Sequence, residues 1–282
     1  MKFNMSYTIR NMRPEEIALA VQWAAVEGWN PGLYDAHCFY NTDPSGFFVG
    51  ELDGEIIAVK SAVRYSDQFG FMGFYIVKEK FRGGGYGFRI WKHAYNYLND
   101  LVSGMDGVVA QQSNYMKSGY KLAYRQNRFE GIGLRGKTDS SLLDLKDISI
   151  TSLLDYDASV FPARRESFLH NWINQPESLT KIAIRDNQIL GYGMIRKCIR
   201  GFKIGPLFAD DALSAEKIFL SLIDFADGAE VYLDIPEVNS PANLLKDKYN
   251  MKYVFETARM YNNGTPKDNP DRVFGVTTFE LG

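Results

Sequence analysis

Cysteine is scarce in this sequence, since 282 residues include only two, Cys38 and Cys198, in unlike surroundings. Two cysteines so far apart exclude a disulfide framework and a cysteine-based metal cluster, and we expect no bound metal. A chain without disulfides is typical of a reducing compartment, so we expect a cytoplasmic protein.

Long apolar runs and concentrated charge are also missing. No window reaches the roughly 18 apolar residues of a transmembrane helix, and the stretch from Met1 to Met5 lacks the apolar core of a signal peptide. The formal net charge is −2 and no basic run stands out. We therefore expect neither a membrane nor a nucleic acid as a partner.

The predicted elements occur twice in the same order. The length favours one large or two modest domains, at roughly 100–200 residues each. Both halves contain a hairpin, a strand, a helix, a strand, a short helix and a strand. The strands include 69–77, 107–110, 202–208, 230–235 and 273–281, and the longer helices span about 85–101 and 212–225. We predict a duplicated α/β architecture with domains at 1–137 and 138–282, linked by the polar stretch 136–141.

A glycine cluster, Arg82-Gly83-Gly84-Gly85-Tyr86-Gly87, lies between an apolar strand and an amphipathic helix. Amides at a helix N-terminus attract anions, and residues without a Cβ let phosphates approach the main chain. A P-loop needs Gly-Lys-Ser/Thr, but Phe88-Arg89 follow. A Rossmann turn needs glycine at its sixth position, where Phe88 stands. A general nucleotide-binding protein is therefore disfavoured.

The cluster resembles the acetyl-CoA motif of the GCN5-related N-acetyltransferase (GNAT) superfamily, Arg/Gln-x-x-Gly-x-Gly/Ala. The resemblance implies a mixed α/β sheet whose fourth and fifth strands splay apart to hold the coenzyme. It implies that an acyl group passes from acetyl-CoA, or another acyl-CoA, to a primary amine by direct attack. The implied coenzyme-binding residues are Ile76, Val77, Arg82, Gly83, Gly84, Gly85, Tyr86, Gly87 and Asn114, with a main-chain N–H near Ile76 or Val77 polarising the carbonyl.

A second segment, Asn114-Tyr115-Met116-Lys117-Ser118-Gly119-Tyr120, resembles the family's Tyr-x-x-x-Gly-Phe. In the family this tyrosine protonates the departing thiolate, so the resemblance implies that Tyr115 is the general acid. Asn114 is equally a helix cap. Many relatives carry a glutamate base on the fourth strand, yet the strand 69–77 holds no acid. Glu51, Asp67 and a water chain remain open, and His93 is interpreted as structural.

The second half resembles the C-terminal domain of a bacterial subgroup of two-domain GNAT proteins. The segments that carry this resemblance include Gly191-Tyr192-Gly193, Leu233-Asp234-Ile235-Pro236 and Phe279-Glu280-Leu281-Gly282. Ala209-Asp210-Asp211-Ala212 stands where a phosphate turn belongs, and acids at a helix N-terminus repel a pyrophosphate. We therefore predict tandem GNAT-like domains, the second degenerate, with one coenzyme site per chain.

Candidate residues for binding the acceptor come from both halves of the sequence. Asp210 and Asp234 lie at carboxyl ends of predicted strands, where they would hold a cationic amine, with Trp29, Asn30 and Asp35 as the opposite wall. The alternative is that Asp210 caps a helix and Asp234 ends a strand. The acceptor would be a small-molecule or protein amine, and the protein a monomer or homodimer. A non-catalytic protein that senses or binds acyl-CoA is the alternative function.

Overall fold

The computed structural model describes residues 6–282. The stretch from Met1 to Met5, on which the expectation of no signal peptide rests, lies outside the described residues. No helix within 6–282 has the length and apolar character that a membrane crossing requires.

Thirteen strands are present in this part of the chain. They are β1 (Tyr7–Asn11), β2 (Phe47–Leu52), β3 (Glu55–Arg64), β4 (Phe69–Val77), β5 (Val102–Val108), β6 (Lys121–Ile132), β7 (Leu143–Asp144), β8 (Ser178–Arg185), β9 (Gln188–Lys197), β10 (Phe202–Ala209), β11 (Glu230–Pro236), β12 (Lys252–Asn262) and β13 (Val273–Gly275).

Eight α-helices lie between the strands of the described region. They are α1 (Ile17–Val26), α2 (Asp35–Thr42), α3 (Tyr86–Leu98), α4 (Gln112–Lys117), α5 (Ile150–Ala158), α6 (Glu166–Trp172), α7 (Ala212–Phe225) and α8 (Ser240–Lys248). The mixed α/β fold predicted from the sequence is therefore confirmed.

Local sequence explains the best-predicted elements. Helix α3 buries Ile90, Trp91, Ala94 and Leu98, which share one face because they are three or four residues apart. The β2–β3 hairpin turns at Asp53-Gly54, whose φ angles are 50° and 86°. Two positive φ angles are what a two-residue hairpin turn of type I′ requires.

Two strand predictions were wrong in their bounds. Strand β5 was expected at 107–110, but it spans Val102–Val108 and a 3-10 turn follows at Val109–Gln111. The last strand was expected over 273–281, but β13 stops at Gly275. Both errors concern segments whose apolar pattern is interrupted by glycine or polar residues.

One sheet runs through the whole described region. Its order is β1-β2-β3-β4-β5-β12-β6-β11-β10-β9-β8-β7, with β13 paired to β10. The β4–β5 and β10–β11 pairs are parallel, and the other neighbours are antiparallel. The parallel pairs lie at corresponding places in the two halves, as a duplicated architecture requires.

The two halves exchange a strand. Strand β12 of the second half pairs with β5 of the first over six residues, and β6 of the first half pairs with β11 of the second over seven. Strands β6 and β12 also pair with each other at the centre. The exchange is reciprocal, so each half completes its sheet with a strand from the other half.

Helices cover both faces of the sheet. Residues of α1, α2, α5 and α6 share one hydrophobic core, which therefore spans both halves. Phe39 of α2 stacks on Trp172 of α6 with the ring centroids 5.9 Å apart. On the other face, α3 and α4 cover the first half, and α7 and α8 cover the second. The halves are thus joined through the helical layer as well as the sheet.

Candidate active site

A fork in the sheet creates a cleft between two strands of the first half. Strands β4 and β5 pair only from Phe69 to Met72 and from Val102 to Met105. Beyond Met72 and Met105 the strands part. Residues 73–77 and 106–108 then line a cleft of about 560 Å³, in the place where the splayed strands were expected.

The free edge of β4 directs main-chain N–H groups into this cleft. Lys78 donates its N–H to the Ile57 carbonyl of β3 at 2.9 Å. Because N–H directions alternate along a strand, the N–H of Ile76 also faces β3, whereas those of Tyr75 and Val77 face the cleft. Of the two residues expected to polarise a carbonyl, only Val77 is correctly oriented. The side chain of Ile76 still lines the cleft.

A bulge on β4 precedes these amides. Phe74 has a φ of 45°, and the β3–β4 register shifts between Val59 and Ser61. Bulges re-aim the groups that follow them and are over-represented beside active sites. Opposite the bulge, the buried Lys60 donates from its Nζ to the carbonyls of Ser61 and Gly73, both at 2.8 Å. Lys60 therefore holds the bulge on its β3 side.

The glycine turn lies at the open end of the cleft. Gly83 and Gly85 have φ angles of 82° and 80°, in the left-handed region that favours glycine. Nothing lies within 4 Å of a Cβ added at either position. Helix α3 starts at Tyr86, and its first amides have no intrahelical partner. The turn is therefore an open cradle of N–H groups that suits a diphosphate.

Arg82 borders the cradle but is anchored by the protein. Its Nε donates to the Val77 carbonyl at 2.8 Å, and its guanidinium forms an ion pair with Glu27. Gly87 allows α3 to approach β4, because a Cβ there would lie 2.9 Å from the Tyr75 hydroxyl. Gly84 packs beside the ring of Tyr86.

Tyr115 of α4 lines the same cleft. Its ring stacks on Trp91 of α3 at 5.2 Å and covers Gly107 of β5, where a Cβ would clash with it. Burial raises the pKa of the Tyr115 phenol well above its usual value, and the nearby Tyr75 adds to the effect. The phenol therefore keeps its proton at neutral pH and is in the state that a general acid needs.

Three residues of the predicted coenzyme set, Gly84, Tyr86 and Asn114, lie outside the cleft lining. Asn114 is exposed and bonds with Gln111 and Lys117 of its own segment. The Tyr86 ring packs against Tyr7 at 4.9 Å, so at this position the main chain faces the cradle. The structure thus brings together Val77, the glycine turn and Tyr115.

Among the predicted acceptor residues, Trp29 lines the cleft. The Asn30 side chain instead bonds to the main chain of Arg200 at 2.8 and 2.9 Å, which fastens its loop to the β9–β10 turn. Asp35 is buried and paired with Arg196 at 2.8 Å. Asp35 therefore joins α2 to β9 and is not free to bind an amine.

The two predicted acceptor acids of the second half, Asp210 and Asp234, are also paired with arginines. Asp234 forms two 2.7 Å bonds with the buried Arg128. Asp210 bonds with Arg272 and Tyr156 at 2.8 and 2.9 Å and does not line the cleft. Asp234 contacts the cleft wall through Arg128, because the guanidinium of Arg128 stacks on Phe255 and Phe279, two rings of that wall.

The candidate bases Glu51 and Asp67 also lie elsewhere. Glu51 pairs with Arg10 on the β1–β2 side, and Asp67 is exposed in the β3–β4 turn. In the described region the carboxylates that line the cleft are Glu27, Asp106 and Glu280. Glu27 is paired with Arg82, and Asp106 makes two 2.7 Å bonds with Arg259.

Four cleft residues from the second half were missed: Phe255, Thr257, Phe279 and Glu280. The segment Phe279-Glu280-Leu281-Gly282 had been noted only as a family resemblance. Its place beside β4 depends on the strand exchange, which carries no local sequence signal. Residues 6–282 contain no group of three or more His, Cys, Asp or Glu arranged to hold a metal ion.

The equivalent gap in the second half is filled. Strands β10 and β11 pair only over residues 202–204 and 231–233. Beyond that point β13 pairs with β10, and Val276 donates to the Asp234 carbonyl of β11 at 2.8 Å. At the start of α7, Asp211 accepts a bond from the Ser214 N–H, where a phosphate would sit. The chain itself therefore occupies this gap.

Comparison with known proteins agrees with this geometry. A model described as "Acetyltransferase (GNAT) family" matches residues 14–116, and one described as "Acetyltransferase (GNAT) domain" matches 153–275. Together the two matched ranges cover most of the chain. A curated relative, holothin acyltransferase of Pseudoalteromonas sp. (strain SANK 73390), is 27% identical and covers 100% of this chain and 97% of its own length.

Solved structures show the same fold. A structure from Pyrococcus horikoshii, assigned to the acetyltransferases, superposes with a TM-score of 0.83 at 22% identity, covering 100% of this chain and 98% of that one. A tandem GNAT protein from the clavulanic acid biosynthesis pathway superposes with a TM-score of 0.63 at 10% identity, covering 93% and 100%.

Proposed function

Since this chain is a tandem acyltransferase of the GNAT superfamily, we propose that it transfers an acyl group from acetyl-CoA, or another acyl-CoA, to a primary amine. The amine attacks the thioester carbonyl directly. One observation carries the proposal: the forked strands, the open glycine cradle and Tyr115 line a single cleft. The filled gap in the second half supports one coenzyme site per chain.

Each part of the cleft has a role in this reaction. The N–H groups of the glycine turn bind the diphosphate. The free N–H of Val77 or Tyr75 polarises the thioester carbonyl, which is electrostatic stabilisation of the oxyanion. Tyr115 gives its proton to the departing sulfur. The protein holds two substrates in line and forms no covalent intermediate.

We also propose a cytoplasmic location and an amine-bearing partner for the protein. Cys38 and Cys198 are free and buried, which supports a reducing cytoplasm. The net charge of −2 supports a small-molecule or protein amine over nucleic acid as the partner. The domain boundary is proposed at 137/138, between β6 and β7, in a monomer or homodimer.

A tyrosine variant tests the proposal. Tyr115→Phe removes the acid and keeps the ring stacked on Trp91, so acetyl-CoA affinity should be unchanged while turnover falls roughly 10²-fold or more. Affinity is measured by calorimetry, with ATP and NAD as comparison ligands, and turnover by release of the coenzyme thiol. Tyr253→Phe, at an exposed tyrosine of β12, is the matched control. Unchanged turnover in Tyr115→Phe would contradict the acid role, and absent acetyl-CoA binding would contradict the proposal.

A further inference from the structure

The C-terminal segment of the chain connects the filled gap of the second half to the fork of the first. It leaves β11 after the bond from Val276 and reaches β4 at Gly73, where a Cβ would clash with the carbonyl of Glu280. Gly73 follows Met72, the last residue of β4 that pairs with β5. Glu280 therefore lies at the deep end of the cleft, where the two strands part.

Glu280 is a buried carboxylate with spare hydrogen-bonding capacity. The residue is 3% exposed. The Thr278 hydroxyl donates to its Oε2, and its Oε1 accepts no hydrogen bond from residues 6–282. The other two carboxylates of the cleft are held by arginines. Glu280 is thus the cleft carboxylate that remains available to a ligand.

Charged groups from four strands act on Glu280. Three are cations and one is a carboxylate, namely Arg128, Arg196, Lys203 and Asp106. Arg128, Arg196 and Asp106 are already paired with Asp234, Asp35 and Arg259. None of these four groups forms a direct salt bridge with Glu280 within residues 6–282.

The space beside Glu280 has aromatic walls. Trp29, Phe74, Phe255 and Phe279 line it, and Phe255 and Phe279 lie 6.0 Å apart. Thr257 faces the same space and is 4% exposed, and its Oγ1 has no hydrogen-bond partner in the described structure. An unpaired buried hydroxyl is unfavourable unless a ligand pairs with it. This is a built pocket with apolar sides and two polar groups.

We propose that this pocket is the acceptor site, that it takes a small primary amine on a flat apolar body, and that Glu280 receives the proton of that amine. The inference rests on the acyl transfer proposed above. The coenzyme enters at the glycine turn and extends along the gap towards the fork. The acceptor then meets the thioester between Tyr115 on the β5 side and Glu280 beside β4.

Transfer of the acyl group moves two protons. The neutral amine nitrogen forms a bond to the thioester carbon, and the carbon–sulfur bond breaks. Glu280 accepts the proton that nitrogen loses, and Tyr115 supplies the proton that sulfur gains. The products are an amide and the free coenzyme thiol. The phenolate and the carboxylic acid return to their starting states by exchange with solvent.

The test compares three variants of the full chain. Glu280→Gln keeps the shape and removes the base, so turnover should fall roughly 10²–10⁴-fold with acetyl-CoA affinity unchanged. Added formate should restore part of the turnover in Glu280→Ala. Glu256→Gln is the matched control, because this β12 glutamate lies beside Phe255 and Thr257 but does not line the cleft. The acceptors are tyramine, tryptamine and benzylamine, compared with putrescine and a peptide with a free N-terminus.

The results distinguish failure of the base, failure of the acceptor class and failure of the proposed function. Wild-type turnover in a folded Glu280→Gln overturns the base, and so does a loss that formate does not restore. A higher kcat/KM for putrescine or the peptide than for the aromatic amines overturns the acceptor class. If the wild type binds acetyl-CoA but acylates none of these amines while other amines react, the acceptor class fails alone. No transfer to any amine contradicts the proposed function itself.

Discussion

At the scale of single residues, the proposed acid, Tyr115, and the proposed base, Glu280, come from different halves of the chain. Tyr115 was predicted because its motif is local: the tyrosine lies on the short helix α4, and the glycine of the motif, Gly119, follows just after the end of that helix. Glu280 was missed because its position beside Gly73 depends on a fold that brings residues 207 positions apart into contact. Asp35 and Asp234 were predicted to bind the acceptor because no local pattern indicates their buried partners. These partners, Arg196 and Arg128, are 161 and 106 positions away in the sequence.

Lys60 gives a prediction about stability at this scale. Burial lowers its pKa well below the usual value, so between the folded and unfolded pKa the unfolded chain binds more protons than the folded one. The contribution of Lys60 to the free energy of unfolding therefore rises with pH up to the unfolded pKa of about 10.4. It falls again as the pH drops from there towards the lower pKa of the folded state. In Lys60→Met the free energy of unfolding should rise less steeply between about pH 7 and 10.

Urea unfolding at several pH values measures this slope. Lys92→Met, at an exposed lysine of α3, is the control and should keep the wild-type slope. Lys203, whose pKa is also lowered by burial, contributes to the slope of every variant. Equal slopes in Lys60→Met and the wild type would mean that Lys60 is charged in the folded protein.

At the scale of elements, prediction succeeded where the signal was local. The hairpin at Asp53-Gly54, helix α3 and the glycine turn each follow from neighbouring residues. Strand β5 was misplaced because glycines and polar residues interrupt it. Those glycines have tertiary causes: a Cβ at Gly104 would lie 2.9 Å from the Phe71 ring, and one at Gly107 would clash with Tyr115. The two glycines are therefore required by packing against Phe71 and Tyr115, and they weaken the sequence pattern that would indicate a strand.

A substitution in the glycine turn should weaken binding of the coenzyme. Gly85→Ala places a Cβ in the cradle and strains a residue with a φ of 80°, at a cost of about 1–2 kcal/mol. Acetyl-CoA affinity measured by calorimetry should fall at least about tenfold, which corresponds to about 1.4 kcal/mol. Gly54→Ala is the matched control, with a φ of 86° in the β2–β3 hairpin. It should lose similar stability and keep its affinity, and an equal loss of affinity in both would contradict the cradle.

At the scale of the whole molecule, the repeated order of elements correctly predicted tandem halves. It did not predict that the halves share strands, because each exchanged strand has the same pattern whichever neighbour it pairs with. The exchange explains how residues from both halves line one cleft. It also explains why the second half is retained although its own gap is filled: it supplies β12 and the segment that carries Glu280.

Division of the chain tests this dependence. Residues 1–137 alone lack the β12 partner of β5 and β6, so they should not form a folded monomer that binds acetyl-CoA. Coexpression with residues 138–282 should restore a one-to-one complex that binds it. Light scattering after size exclusion gives the assembly, and calorimetry gives the affinity. A monomeric 1–137 fragment with the affinity of the full chain would show that the first half is independent.

The exchanged strands also order events during synthesis. As the chain emerges from the ribosome, β5 and β6 appear early, but the strand that belongs between them ends at Asn262. Contacts between residues so distant in sequence form slowly. The proposed active site is therefore among the last parts of the nascent protein to mature, and until then β5 and β6 present open edges that chaperones would need to shield.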